Sequence, residues 1–151
     1  MFRFGLTIII FTIIIVALQF VPSEQVENAT IQNLPPLTPD AEYVFQKACY
    51  DCHTTETNWP WYSQIVPMSI LIRHHVKEGR QYLDLGNWNQ YSPEKQRDLI
   101  QKIAIVVRND QMPPKTYIFF HQRASLTEID KESIENWASQ VSKLIFESQA
   151  E

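Results

Sequence analysis

The chain has 151 residues, a net charge of -4 at neutral pH, and 44 % apolar and 12 % aromatic residues. That is enough apolar material for a packed core, which excludes wholesale disorder, and the mild acidity leaves no basic stripe for a nucleic acid. Three glycines and no alternating Val/Ile/Thr run argue against a β-rich domain, so an all-α fold is expected.

Residues 4–21 are almost unbroken apolar sequence, with Ile8-Ile9-Ile10 and Ile13-Ile14-Ile15-Val16 inside, no charge, and Arg3 in front. A bilayer core takes about 20 apolar residues to cross, so residues 1–22 read as an N-terminal transmembrane helix. The stretch ends Ala17-Leu18-Gln19-Phe20-Val21-Pro22. That offers no small-x-small pair for a signal peptidase, so an uncleaved anchor is expected, with Arg3 on the cytoplasmic side. Residues 23–36 are polar, close on Pro35-Pro36 and read as a linker. Residues 37–151 form the domain.

Four helices are expected in it. Thr38-Pro39-Asp40 opens the first with a cap, a first-turn proline and an acid. Ala41, Phe45, Ala48, Cys49 and Cys52 share one face, so this helix should carry both cysteines at its end. The second starts after Pro67 and should stop at Gly79. The third runs from Ser92-Pro93 to about Arg108. The fourth opens at Thr127-Glu128-Ile129-Asp130, a capping-box pattern with Asp in place of Glu. Loops are expected over residues 58–66, 82–91 and 111–125. Loops this long in a small helical domain usually wrap something.

The two cysteines stand in Cys49-Tyr50-Asp51-Cys52-His53. Two thiols one helical turn apart can bond the two vinyl groups on one edge of a haem, and the next imidazole can reach the iron. One covalently attached haem c is therefore the expected cofactor, through Cys49 and Cys52, with His53 as iron ligand. A thioredoxin-like pair would want a βαβ context, a zinc site would need more ligands, and a disulfide would be strained in so short a loop. Met112, in Asp110-Gln111-Met112-Pro113-Pro114, is the expected second iron ligand because prolines stiffen its loop. His121 is the alternative, and Met68 reads as core.

The layout resembles class I cytochromes c and, more closely, the bacterial haem-binding domain family. The matching stretches are the Cys49–His53 motif, Asn58-Trp59-Pro60-Trp61-Tyr62-Ser63, His75-Val76 with Gly79-Arg80, Trp88, Met112-Pro113-Pro114 with Tyr117 and His121, Leu126-Thr127, and Trp137. The resemblance implies a cytochrome-c-like domain in which Ala41 and Phe45 of the first helix meet Ile134 and Trp137 of the last.

Haem propionates need donors when partly buried, and Trp59, Trp61, Tyr62, Arg73 and Arg80 are candidates. His53 should donate its other ring N–H to a backbone carbonyl, with those near Trp59 and Pro60 as candidates. Tyr117 and His121 are expected to anchor the Met112 loop by hydrogen bonds. The expected activity is one-electron transfer to a redox partner protein, not enzymatic turnover. A haem-based ligand sensor and a peroxidase-like enzyme with His121 as acid-base group are the alternatives. The expected location is a bacterial inner membrane, single-pass, with the haem domain on the periplasmic side.

Overall fold

In a computed structural model, residues 2–20 and 26–148 are described. The expected end of the membrane segment at 21–22, the first linker residues 23–25 and the side chain of Arg3 lie outside them. Among the described residues the chain is all-helical, apart from one bridge between Asn33 and Asn87. The helices are α1 (Phe2–Leu18), α2 (Pro39–Ala48), α3 (Tyr50–His53), α4 (Met68–Tyr82), α5 (Pro93–Arg108), α6 (Lys115–Phe120) and α7 (Glu128–Ser148). Short 3-10 turns cover Trp61–Gln64, Trp88–Gln90 and Gln122–Ala124.

The structure corrects the expected transmembrane helix. α1 has 17 residues, a rise of about 26 Å against the roughly 30 Å of a bilayer's hydrocarbon core. It gives way to a turn at Gln19 and Phe20, whose N–H groups donate to Val16 and Ala17. Among the described residues no helix is long and apolar enough to cross a membrane. From Phe4 onward every α1 side chain is exposed.

The core is built by α2, α5 and α7. Apolar residues at helical spacing face inward: Ala41, Val44 and Phe45 on α2, Leu99, Ile100, Ile103 and Val107 on α5, Ile134, Trp137, Ala138 and Val141 on α7. Phe45 and Trp137 meet edge to face with centroids 4.9 Å apart, worth about 0.5–1.5 kcal/mol beyond the area buried. The indole N–H of Trp137 donates to Pro36 O at 2.7 Å. Beside them Lys47 of α2 pairs with Asp130 of α7 at 2.8 Å. Asp130 also accepts from the N–H and hydroxyl of Thr127, while its own N–H donates to Thr127 Oγ1, closing the capping box with aspartate.

Other starts form as their residues dictate. Thr38 Oγ1 accepts from Ala41 N and Ser92 Oγ from Lys95 N. Three elements differ from expectation. The first helix ends at Ala48, and Cys49 has non-helical φ and ψ (-121° and -38°), so Cys52 and His53 sit on the separate α3. α4 continues through Gly79 to Tyr82, where a Cβ on Gly79 would lie 2.6 Å from Cys52 O. This glycine permits close packing of α4 on α3 and does not end the helix. The 111–125 stretch contains α6.

The stretch read as a linker lies along the domain as a strap. Ala29 N donates to Thr55 O, Gln32 N and Asn33 N to Gly86 O, and Trp88 N to Asn33 O. The Asn28 amide brackets Thr57, donating to its O at 2.8 Å and accepting from its N at 3.1 Å.

Candidate functional site

Between α3, α4, the end of α5 and α6 lies a cavity of about 600 Å³, lined mainly by apolar side chains. Its size lies within the range of small-molecule and cofactor sites. Cys49, Cys52 and His53 line it, with Met68, Leu71, Ile72, His75, Met112, Pro113, Tyr117 and His121 among the rest.

His53 is held from behind. Its Nδ1–H is shared between Gly79 O and Leu83 O, both at 3.0 Å, at the C-terminal end of α4. Nε2 is then the nitrogen with a free lone pair. These acceptors replace the carbonyls of Trp59 and Pro60 expected from sequence, because the close approach at Gly79 brings the end of α4 to α3. Burial lowers the imidazole pKa, against the two carbonyls that raise it. Both cysteines are free. Burial and then Cys52 push the Cys49 thiol up to about 12. Burial and then Asp51 push Cys52 up to about 11, against the charge of Arg80. Both are therefore neutral thiols at pH 7. Among the described residues no cluster of three or more His, Cys, Asp and Glu could hold a metal ion, so the zinc reading lacks a donor set.

Met112 follows a left-handed turn at Asp110 (φ 54°), a conformation that aspartate tolerates better than most residues. Asp110 is secured by Lys131 of α7 at 2.8 Å, and the N–H groups of Gln111 and Met112 both donate to Val106 O. The Met112 side chain is 39 % exposed and reaches the cavity wall, as does Met68. After it, Tyr117 OH donates to Asp51 Oδ2 at 2.6 Å, tying α6 to the cysteine motif. Burial, then Asp51, raises the Tyr117 pKa, which keeps the phenol protonated. His121 stacks on Tyr117 at 4.3 Å. Its Nδ1 donates to Tyr117 O at 3.2 Å and its Nε2 accepts from Tyr62 OH at 3.3 Å. Both ring nitrogens of His121 are thus engaged.

Of the candidate donors singled out in the sequence, Trp59, Trp61, Arg73 and Arg80 lie outside the cavity wall and Tyr62 lies in it. Trp61 is 78 % exposed. Arg73 stacks over the Trp59 ring at 5.2 Å. Arg80 donates to Thr54 O, Glu27 O and Thr57 Oγ1, so its guanidinium braces the loop after the cysteine motif and the strap. His74 faces Glu78 at 3.4 Å. Sequence reasoning missed Asp51, His75, Gly79 and Leu83. Of these, Asp51 carried a signal as an acid between the two cysteines, and His75 and Gly79 stand in stretches that match the family resemblance.

Two thiols, an imidazole with one nitrogen fixed and the other free, and apolar walls of this size fit a haem. A family model described as "Haem-binding domain" matches residues 13–140, and the chain belongs to that haem-binding domain family. Searches of curated proteins and of solved structures found no match.

Proposed function

We propose that this haem-binding domain is a membrane-associated c-type protein on the exported side of a bacterial inner membrane, with one haem held covalently and used for one-electron transfer. The single observation that carries the reading is the shared cavity of Cys49, Cys52 and His53, with His53 Nδ1 fixed by Gly79 and Leu83. In this reading Cys49 and Cys52 would hold the haem as thioethers, and His53 Nε2 and the Met112 sulfur would bind its iron. When bound, the haem supplies an iron that accepts and releases one electron. The protein supplies apolar walls that exclude water, two carbonyls that orient His53, and the Asp110, Lys131 and Tyr117 contacts that hold the Met112 loop. Membrane association rests on α1, which from Phe4 onward is apolar and exposed and partitions toward lipid.

The test is protein matured with a haem-attachment system. A mass increase of one haem that survives denaturation, with a pyridine-complex spectrum typical of two thioethers, is expected. A colourless product of bare-chain mass would overturn the reading. A reduced-minus-oxidised spectrum unchanged by carbon monoxide or nitric oxide is expected of a six-coordinate carrier. Ready displacement of a ligand by either gas favours the sensor reading, for which the partial exposure of Met112 is the relevant observation.

A further inference from the structure

Four aromatic rings form an unbroken chain at the edge of the cavity. Trp61, Tyr62, Phe120 and Phe119 follow one another with centroids 5.7, 5.4 and 5.0 Å apart. Tyr62 and Phe120 also line the cavity, while Trp61 and Phe119 at the two ends are 78 % and 76 % exposed. A contiguous set of large rings, half-buried at Tyr62 and exposed at the other three, marks a contact surface.

Two further observations say what covers it. The first is where α1 ends. The Gln19 side chain brackets the backbone of Val66, donating to its O at 3.3 Å and accepting from its N at 3.1 Å. An apolar, exposed helix is thereby pinned to the loop that carries Trp61 and Tyr62. The second is charge. Residues 57–77 and 111–127, which supply this rim, contain no acidic residue although the chain has 17, and they carry Arg73, Lys77, Lys115 and Arg123. An acidic protein thus keeps its carboxylates off the two segments that supply the rim, one of which holds the end of α1 through Gln19 and Val66.

We propose that the Trp61–Tyr62–Phe120–Phe119 rim is seated in the headgroup layer of an anionic lipid bilayer, the bilayer with which α1 associates. The proposal rests on the membrane association proposed above. Tryptophan and tyrosine favour the depth where an apolar ring meets polar headgroups, and lysine and arginine are drawn to anionic lipid. A rim seated in this way turns the cavity edge formed by Tyr62 and Phe120 toward the membrane plane.

The test uses the full-length haem-loaded chain with vesicles of phosphatidylethanolamine and phosphatidylglycerol. Photoreactive p-benzoylphenylalanine replaces Trp61, Phe119 or, as control, Lys95, which lies beside Asp98 on α5. Flotation with the vesicles reads membrane association, and the mass of the photoadducts reads the rim. Flotation with lipid adducts at positions 61 and 119 and none at 95 is expected, with lower yields when phosphatidylcholine replaces phosphatidylglycerol. Flotation without lipid adducts at 61 and 119, or with equal adducts at 95, overturns the rim proposal and leaves membrane association standing. Adducts to a second copy of the chain assign the rim to self-association and overturn it. Equal yields on phosphatidylcholine overturn the anionic part. Failure to float overturns both readings.

Discussion

Replacing Gly79 by alanine puts a methyl group 2.6 Å from a backbone oxygen of Cys52, where no flexible side chain can give way. α4 must move off α3, and His53 loses the position of its two carbonyl partners. Overpacking of this kind costs about 1–3 kcal/mol. Urea unfolding should show that loss, together with poorer haem incorporation. Tyr117→Phe removes a 2.6 Å hydrogen bond to the Asp51 carboxylate at a cost of roughly 1.5–3 kcal/mol. The loop between α5 and α6 should loosen, visible as a weaker low-spin spectrum at unchanged haem mass. The two methionines that reach the cavity give the sharpest comparison. Met112→Ala should abolish the low-spin spectrum and lower the potential, since a thioether ligand raises it. Met68→Ala should leave the ligation unchanged, and the reverse outcome would transfer the ligand role to Met68.

At the scale of elements, α7 depends on one buried carboxylate. Asp130 closes the capping box and pairs with Lys47. Burial by itself would raise its pKa, but the Lys47 ammonium and the Thr127 donors outweigh it and hold the group below its ordinary value. A depressed carboxylate contributes stability above its unfolded value of about 4 and loses it as pH falls through the folded value. Asp130→Asn should therefore destabilise the protein more at pH 7 than near pH 3 (both about a unit or more from that value), as read from urea midpoints at each pH. Much of this architecture is legible in the sequence, because caps are local chemistry: Thr38-Pro39, Ser92-Pro93 and Thr127 to Asp130 each start the helix they predict. What was not legible depends on contacts between distant residues. Gly79 reads as a stop signal by itself, and only the proximity of Cys52 makes it a packing residue. Arg80 reads as a propionate donor until three oxygens from the strap and the post-motif loop surround it. α6 escaped notice because its six residues are too few for a helical period to emerge.

For the whole molecule, the apolar helix α1 and the cavity are separate features, and one truncation distinguishes their roles. Deleting residues 2–20 should leave the haem spectrum intact and release the protein from vesicles into the supernatant, which flotation and absorbance measure on the same sample. Retention on vesicles would move the attachment to the domain's own surface. The same truncation removes the Gln19 contacts to Val66, so a small loss of thermal stability is expected with it.

The strap and α7 also impose an order in time. The indole of Trp137 closes on Pro36 across 101 positions of chain, Lys47 waits for Asp130 across 83, and the strap completes its bonds only after Gly86 and Trp88 have been made. Contacts so far apart form late, because the loops between them must close first. A polypeptide that emerges N-terminus first therefore presents Cys49 and Cys52 while the elements that will enclose them are still to come. The proposed attachment of a haem to those sulfurs would have its opportunity in that interval, before α5 and α6 complete the cavity wall around them.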